Sequence, residues 1–147
     1  MWPKIVQVNP IDVYFIGGII SYEKATNLCF KLNLKRSFTT NVTPMRKPRY
    51  AFGVCHLFEY VYCIAGVTSG DKHIRSCERL NLVTNLWEEL PKIPMSRYAM
   101  TVVPVQKRFL YMVGGYEYSM VLSGKSAEVI GVIDTQAISK GWNMLTI

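Results

Sequence analysis

A chain of 147 residues, 50% apolar and 18% charged, holds enough hydrophobic material for one folded domain and too little charge for a disordered segment. Its 17 Lys and Arg against 10 Asp and Glu leave a net charge of +7, which favours an acidic partner surface or peptide. Apolar runs such as Val13 to Ile16 and Val102 to Val105 are strand-length and fall far short of the ~20 residues of a membrane helix, so no membrane partner is expected.

In chain order, Ile5, Val6 and Val8 precede the turn Asn9-Pro10, and Val13 to Ile16 runs into Gly17-Gly18, which predicts two strands of a hairpin. Ile19 to Asn27 reads as a polar loop. In Leu28 to Leu34, the apolar Phe30, Leu32 and Leu34 alternate with Lys31 and Asn33, the period of two of a third strand. Phe38 to Val42 is β-branched and aromatic enough for a fourth. Thr43 to Pro48 is a proline-broken connection.

The order then recurs. Tyr62 to Gly66 repeats Tyr14 to Gly18 at a distance of 48 residues, with Ala65 in place of the first glycine, and Tyr111 to Gly115 repeats it again 49 residues on. Cys77, Leu80, Asn81 and Leu82 likewise stand 48 residues after Cys29, Leu32, Asn33 and Leu34. The second unit is expected to place strands at Tyr50 to Leu57, Val61 to Ile64, Cys77 to Leu82 and Trp87 to Leu90. Arg97-Tyr98, a repeat of Arg49-Tyr50, opens a third, with strands at Tyr98 to Val105, Phe109 to Val113, Glu128 to Ile133 and Trp142 to Leu145. A fixed period of this length marks a repeat architecture. Positive φ and close backbone approach are expected at the glycine pairs, most strictly at Gly18, Gly66 and Gly115, since Ala65 shows that the first position tolerates a methyl group.

Cys29, Cys55, Cys63 and Cys77 lack the C-x-x-C spacing of zinc fingers and ribbons, and are read as reduced, buried packing residues. His56 and His73 lie near them in sequence without completing a metal motif, so neither metal nor cofactor is expected. Met1-Trp2-Pro3-Lys4 lacks the basic region, apolar run and cleavage site of a secretory leader, and the chain is expected in the cytoplasm.

Leu80 to Trp87, following a glycine pair and followed by Pro91, Pro94 and Arg97-Tyr98, resembles the kelch repeat: a double glycine, Tyr-Asp-Pro, Thr-Asn-x-Trp, then Pro-Arg-Tyr. Leu80-Asn81-Leu82 replaces Tyr-Asp-Pro, Phe38 stands near the tryptophan place of the first unit, and Asp134 and Trp142 are more widely separated in the third. The resemblance implies an all-β, kelch-type β-propeller segment of three four-stranded antiparallel blades over residues 1–147, with repeats at about 2–48, 49–96 and 97–147. Trp87 and Trp142 are then packing residues between blades. Propellers typically close with 4 to 8 blades, so three imply a partial propeller: a piece of a longer protein, one half of a two-chain ring, or a free-standing wedge.

In such a meander the loops between second and third strands, and between one blade and the next, emerge on one face. They carry Tyr22, Lys24, Arg46, Lys47, Asp71, Lys72, His73, Arg75, Tyr116, Tyr118 and Lys125, which are the candidate partner-binding residues. The expected function is protein–protein interaction. The resemblance extends it to substrate recognition within a ubiquitin-ligase adaptor or to cytoskeletal scaffolding. Scattered basic residues without a nucleic-acid-binding motif argue against nucleic acid. Some kelch-like propellers are oxidases or sugar epimerases, but no paired carboxylates or metal-ligand motif points to catalysis here.

Overall fold

In the computed structural model, which describes residues 2–22, 24–117 and 129–146, the backbone forms three antiparallel four-stranded meanders in sequence order. The first comprises β1 (Trp2–Gln7), β2 (Asp12–Ser21), β4 (Cys29–Asn33) and β5 (Phe38–Val42), and the two-residue β3 (Lys24–Ala25) folds back on the end of β2. The second comprises β6 (Gly53–Leu57), β7 (Tyr60–Ile64), β10 (Cys77–Asn81) and β11 (Leu86–Leu90). A small hairpin of β8 (Val67–Thr68) and β9 (Lys72–His73) projects beyond it. The third comprises β13 (Thr101–Val105), β14 (Phe109–Val113), β16 (Val129–Asp134) and β17 (Asn143–Thr146), with β12 (Arg97–Tyr98) and β15 (Tyr116–Glu117) as its end pair. Apart from one 3-10 turn at Ile138–Lys140, the described residues contain no helix.

The strands lie within a few residues of their expected positions, with one consistent difference. The opening strands of the second and third sheets begin at Gly53 and Thr101, not at Tyr50 and Tyr98, because Ala51 and Ala99 take φ of 50° and 56° and break the extended backbone. Tyr50 keeps an isolated bridge to Val67, and Tyr98 pairs with Tyr116. The glycine pairs are also bends rather than strand ends. β2 runs through Gly17 and Gly18, while in the other two sheets extended pairing resumes after the bend, at Val67 and Tyr116.

Both positions of each pair have positive φ: 52° and 103° at Gly17 and Gly18, 53° and 101° at Ala65 and Gly66, 67° and 80° at Gly114 and Gly115. The second position is the tighter one. A Cβ there would sit 2.1 Å from the Trp2 carbonyl oxygen at Gly18, 2.7 Å from that of Tyr50 at Gly66 and 2.6 Å from that of Tyr98 at Gly115.

Asn33, Asn81 and Asp134 end the third strands and shape the outer turns. Their side-chain oxygens accept the backbone N–H of Arg36 at 3.0 Å, Val83 at 2.9 Å and Gln136 at 2.9 Å. A carboxamide can therefore do the work of the carboxylate in the repeat pattern.

The core lies between the sheets. Tyr14, Ile16, Cys29, Val42 and Met45 pack with Phe52, Val61, Cys63, Leu80 and Trp87 at the first junction. At the second, Tyr62, Ile64, Cys77 and Leu90 pack with Val102, Leu110, Met112, Ile133 and Trp142. Trp87 Nε1 donates to the Thr43 carbonyl at 2.7 Å, and Trp142 Nε1 to the Pro91 carbonyl at 3.1 Å, so each tryptophan ties its own sheet to the linker leaving the preceding one. The place of Trp87 opposite Leu80 is held in the first sheet by Thr39, opposite Leu32, while Phe38 is 43% exposed. Phe38 is thus adjacent to the tryptophan position and faces the other way.

All four cysteines are buried thiols. Burial pushes Cys29 and Cys77 up to about 11 and Cys55 to about 12, and raises Cys63 well above its ordinary value, so they behave as small apolar side chains.

Candidate functional site

The bends after the second strands place the β2–β3 turn, the β8–β9 hairpin and the β12–β15 pair in a row at one end of the sheets. The Ala25 backbone N–H of the first donates to Ser69 Oγ of the second at 3.0 Å. From the second, His73 reaches the opening of the third sheet, its ring 4.9 Å from that of Tyr98, and Tyr98 in turn stacks on Tyr116 at 5.6 Å and 29°. Tyr50 donates its hydroxyl to Asp71 Oδ1 at 3.2 Å. Trp2, Tyr50 and Tyr98 hold the same place in the three units, opposite Ile19, Val67 and Tyr116. An aromatic side chain thus recurs every 48 residues along this end.

Of the candidate residues, Asp71, His73 and Tyr116 are brought together in this cluster, and Lys72 stands exposed beside them. Desolvation lowers the His73 pKa below its ordinary 6.5, against the opposing pull of Asp71, and so favours the neutral ring. Tyr116 is 46% exposed, an amphipathic ring held by a stack and open to a partner. Tyr22 is 91% exposed at the tip of the β2–β3 turn, where with Trp2, Ile19, Ile20 and Ser21 it lines an apolar depression. Lys24 is exposed next to it.

Arg46 and Arg75 are exposed and each also bonds within the scaffold. Arg46 donates its backbone N–H to the Glu78 carboxylate at 2.9 Å and its Nη2 to the Trp87 carbonyl at 3.3 Å. Arg75 Nη1 donates to the Pro94 carbonyl at 2.8 Å. Lys47 lines a narrow crevice with Arg49, Ser76, Glu78 and Glu89. Tyr118 and Lys125 lie outside the described residues.

Sequence reasoning passed over Tyr50 and Tyr98 as contributors to this face, although Arg49-Tyr50 and Arg97-Tyr98 marked the openings of two units. It also missed the two arginines before them, which are fully buried. Arg49 donates to the carbonyls of Ala65 at 2.9 Å and Ser76 at 2.7 Å and pairs with Glu78 at 2.7 Å. Arg97 donates to the Val129 carbonyl at 2.7 Å, the same place as Ser76 in the register, but Gly131 stands where Glu78 does and supplies no carboxylate. Desolvation lowers the Arg97 pKa, opposed by Glu117. Arg49 thus ties the linker to the bend of its sheet at Ala65 and to the start of the third strand, and Arg97 ties its linker to the start of the third strand at Val129.

Residues 48–94 match the model of the Kelch motif. The match spans the whole second sheet, and the first and third repeat its strand order. The described residues are therefore an all-β array of three four-stranded antiparallel sheets, the second of which carries a Kelch motif. No curated protein matches it.

Proposed function

We propose that this kelch-type array is a protein-interaction module whose binding face is the end carrying Tyr22, Lys24, Tyr50, Asp71, Lys72, His73, Tyr98 and Tyr116. The observation that supports it is the His73–Tyr98–Tyr116 stack, which crosses from the second blade to the third and leaves a tyrosine 46% exposed. Rigid aromatic side chains on a fixed scaffold give large contact area at small entropic cost, and tyrosine is enriched among residues that dominate binding energy. The mixture of Lys24 and Lys72 with Asp71 around them fits a polypeptide partner presenting apolar and acidic side chains, in keeping with the net charge of +7.

Within that reading the chain serves as a substrate-recognition part of a ubiquitin-ligase adaptor or as a cytoskeletal scaffold, acting in the cytoplasm and without catalysis. Affinity capture with the purified chain, followed by mass spectrometry, tests it. The Tyr116→Ala, Lys72→Ala double variant is expected to lose the captured partner while keeping its far-ultraviolet circular dichroism. Unchanged capture by that variant moves the site off this face. Turnover of oxidisable alcohols or acidic sugars by the chain alone would replace the binding reading with the propeller-enzyme one.

A further inference from the structure

We propose that two copies of this chain associate end to end, the third blade of each packing on the first blade of the other, to give a closed two-fold assembly of six blades. Each blade has two faces, and the second blade uses both: Val61, Cys63 and Leu80 meet the first blade, while Tyr62, Ile64, Cys77 and Leu90 meet the third. The strand register shows which residues hold these places at the two ends. In the first blade, Val13, Phe15 and Leu32 stand where Val61, Cys63 and Leu80 do, and Ile5, opposite Phe15, stands where Val54 does. In the third, Val113 and Leu145 stand where Ile64 and Leu90 do.

These end residues are apolar; Val13, Phe15 and Leu32 are half-buried and the other three exposed. Ile5 is 59% exposed, and Val113 and Leu145 are 40% and 49% exposed, whereas Ile64 and Leu90 at the covered junction are 0% and 8% exposed. Left in water, such faces cost the chain the stabilisation that the same positions gain inside the array. The occupant is set by the repeat itself. A first-blade face pairs with the face that a preceding blade presents, and the third blade of a second copy presents that face. The junction thus continues the two that the chain already contains. Because the contact joins unlike faces, it is heterologous, and a two-fold arrangement closes it by satisfying both ends of both copies. Six blades lie within the typical range of 4 to 8 for propellers.

The new junction differs from the first internal one in one respect. Phe15 and Phe30, stacked at 4.8 Å and 8°, occupy the places of Cys63 and of Glu78, whose carboxylate pairs with Arg49 in the second blade. The first-blade face is aromatic where its counterpart is ionic, so association there rests on apolar burial.

Light scattering on the full chain over a range of concentrations tests the assembly. The expected mass is twice the 16.8 kDa of one chain, falling to one on dilution. Ile5→Glu and Val113→Glu, on opposite ends, are each expected to give a monomer with unchanged circular dichroism, because each damages both junctions of a ring. Val83→Glu, on an exposed outer turn, is the control and keeps the wild-type mass. A wild-type monomer at every concentration overturns the proposal. So does mass that grows without limit, which indicates an open array, or a dimer that survives Val113→Glu, which indicates two first blades meeting face to face.

Discussion

Ala65 holds a φ of 53° in a place that its two counterparts give to glycine. A left-handed alanine costs about 1–2 kcal/mol relative to its preferred backbone, so Ala65→Gly is expected to change stability by no more than about 1 kcal/mol once glycine's added chain entropy is offset. Gly66→Val is different, because its Cβ would meet the Tyr50 carbonyl oxygen and the Phe52 Cβ at 2.7 Å. We expect a loss above about 3 kcal/mol in urea titration; equal midpoints for the two variants would refute the distinction. The buried arginines give a second contrast. Glu78→Ala strands Arg49 without its carboxylate and is expected to cost about 3–5 kcal/mol. Arg97→Met removes a cation that faces no acidic partner at the matching position and should cost less, as measured by the same titration. His73 supplies a pH dependence. Its folded pKa lies below the ordinary 6.5, so as pH falls the unfolded imidazole takes up its proton first and protonation favours unfolding. Stability is therefore full above 6.5 and declines between that value and the lower folded one. A His73→Gln variant should flatten this part of a melting-temperature profile.

At the scale of elements, the tryptophan-to-linker bond is the recurrent joint between blades. Trp87→Ala is expected to cost about 3–5 kcal/mol through lost packing, and Trp87→Phe about 1–2 kcal/mol, mostly through the unpaired Thr43 carbonyl; thermal melts of both variants check the ranking. The strands themselves were legible in the sequence, because alternation and the spacing of Tyr14, Tyr62 and Tyr111 depend only on local backbone geometry and repetition. The breaks at Ala51 and Ala99 were not, since alanine carries no signal for positive φ and tertiary packing imposes it. Arg46 and Arg75 are exposed, as charged loop residues usually are, but their hydrogen bonds to the carbonyls of Trp87 and Pro94 were not legible in the sequence, because only the fold brings those partners near. The Tyr98 stack draws on three separate segments, and only the fold brings them together.

For the whole molecule, net charge and apolar end faces pull in opposite directions. Each copy carries +7, so two copies repel, while the proposed junction is apolar. Added salt is expected to strengthen association by screening the repulsion, and sedimentation at increasing ionic strength reads this directly. An ion-paired junction would respond with the opposite sign. The second blade, covered on both sides, also has a consequence for time as well as for stability. Arrays of this kind open from their ends, because a terminal unit has one neighbour to lose and a central one has two. Amide hydrogens in β7 and β10 should therefore exchange with solvent most slowly, and those of β1, β2, β14 and β17 sooner. If the ends meet in a second copy, that gradient should flatten as protein concentration rises. The rate at which a single backbone proton is lost would then report whether the ring is open or shut.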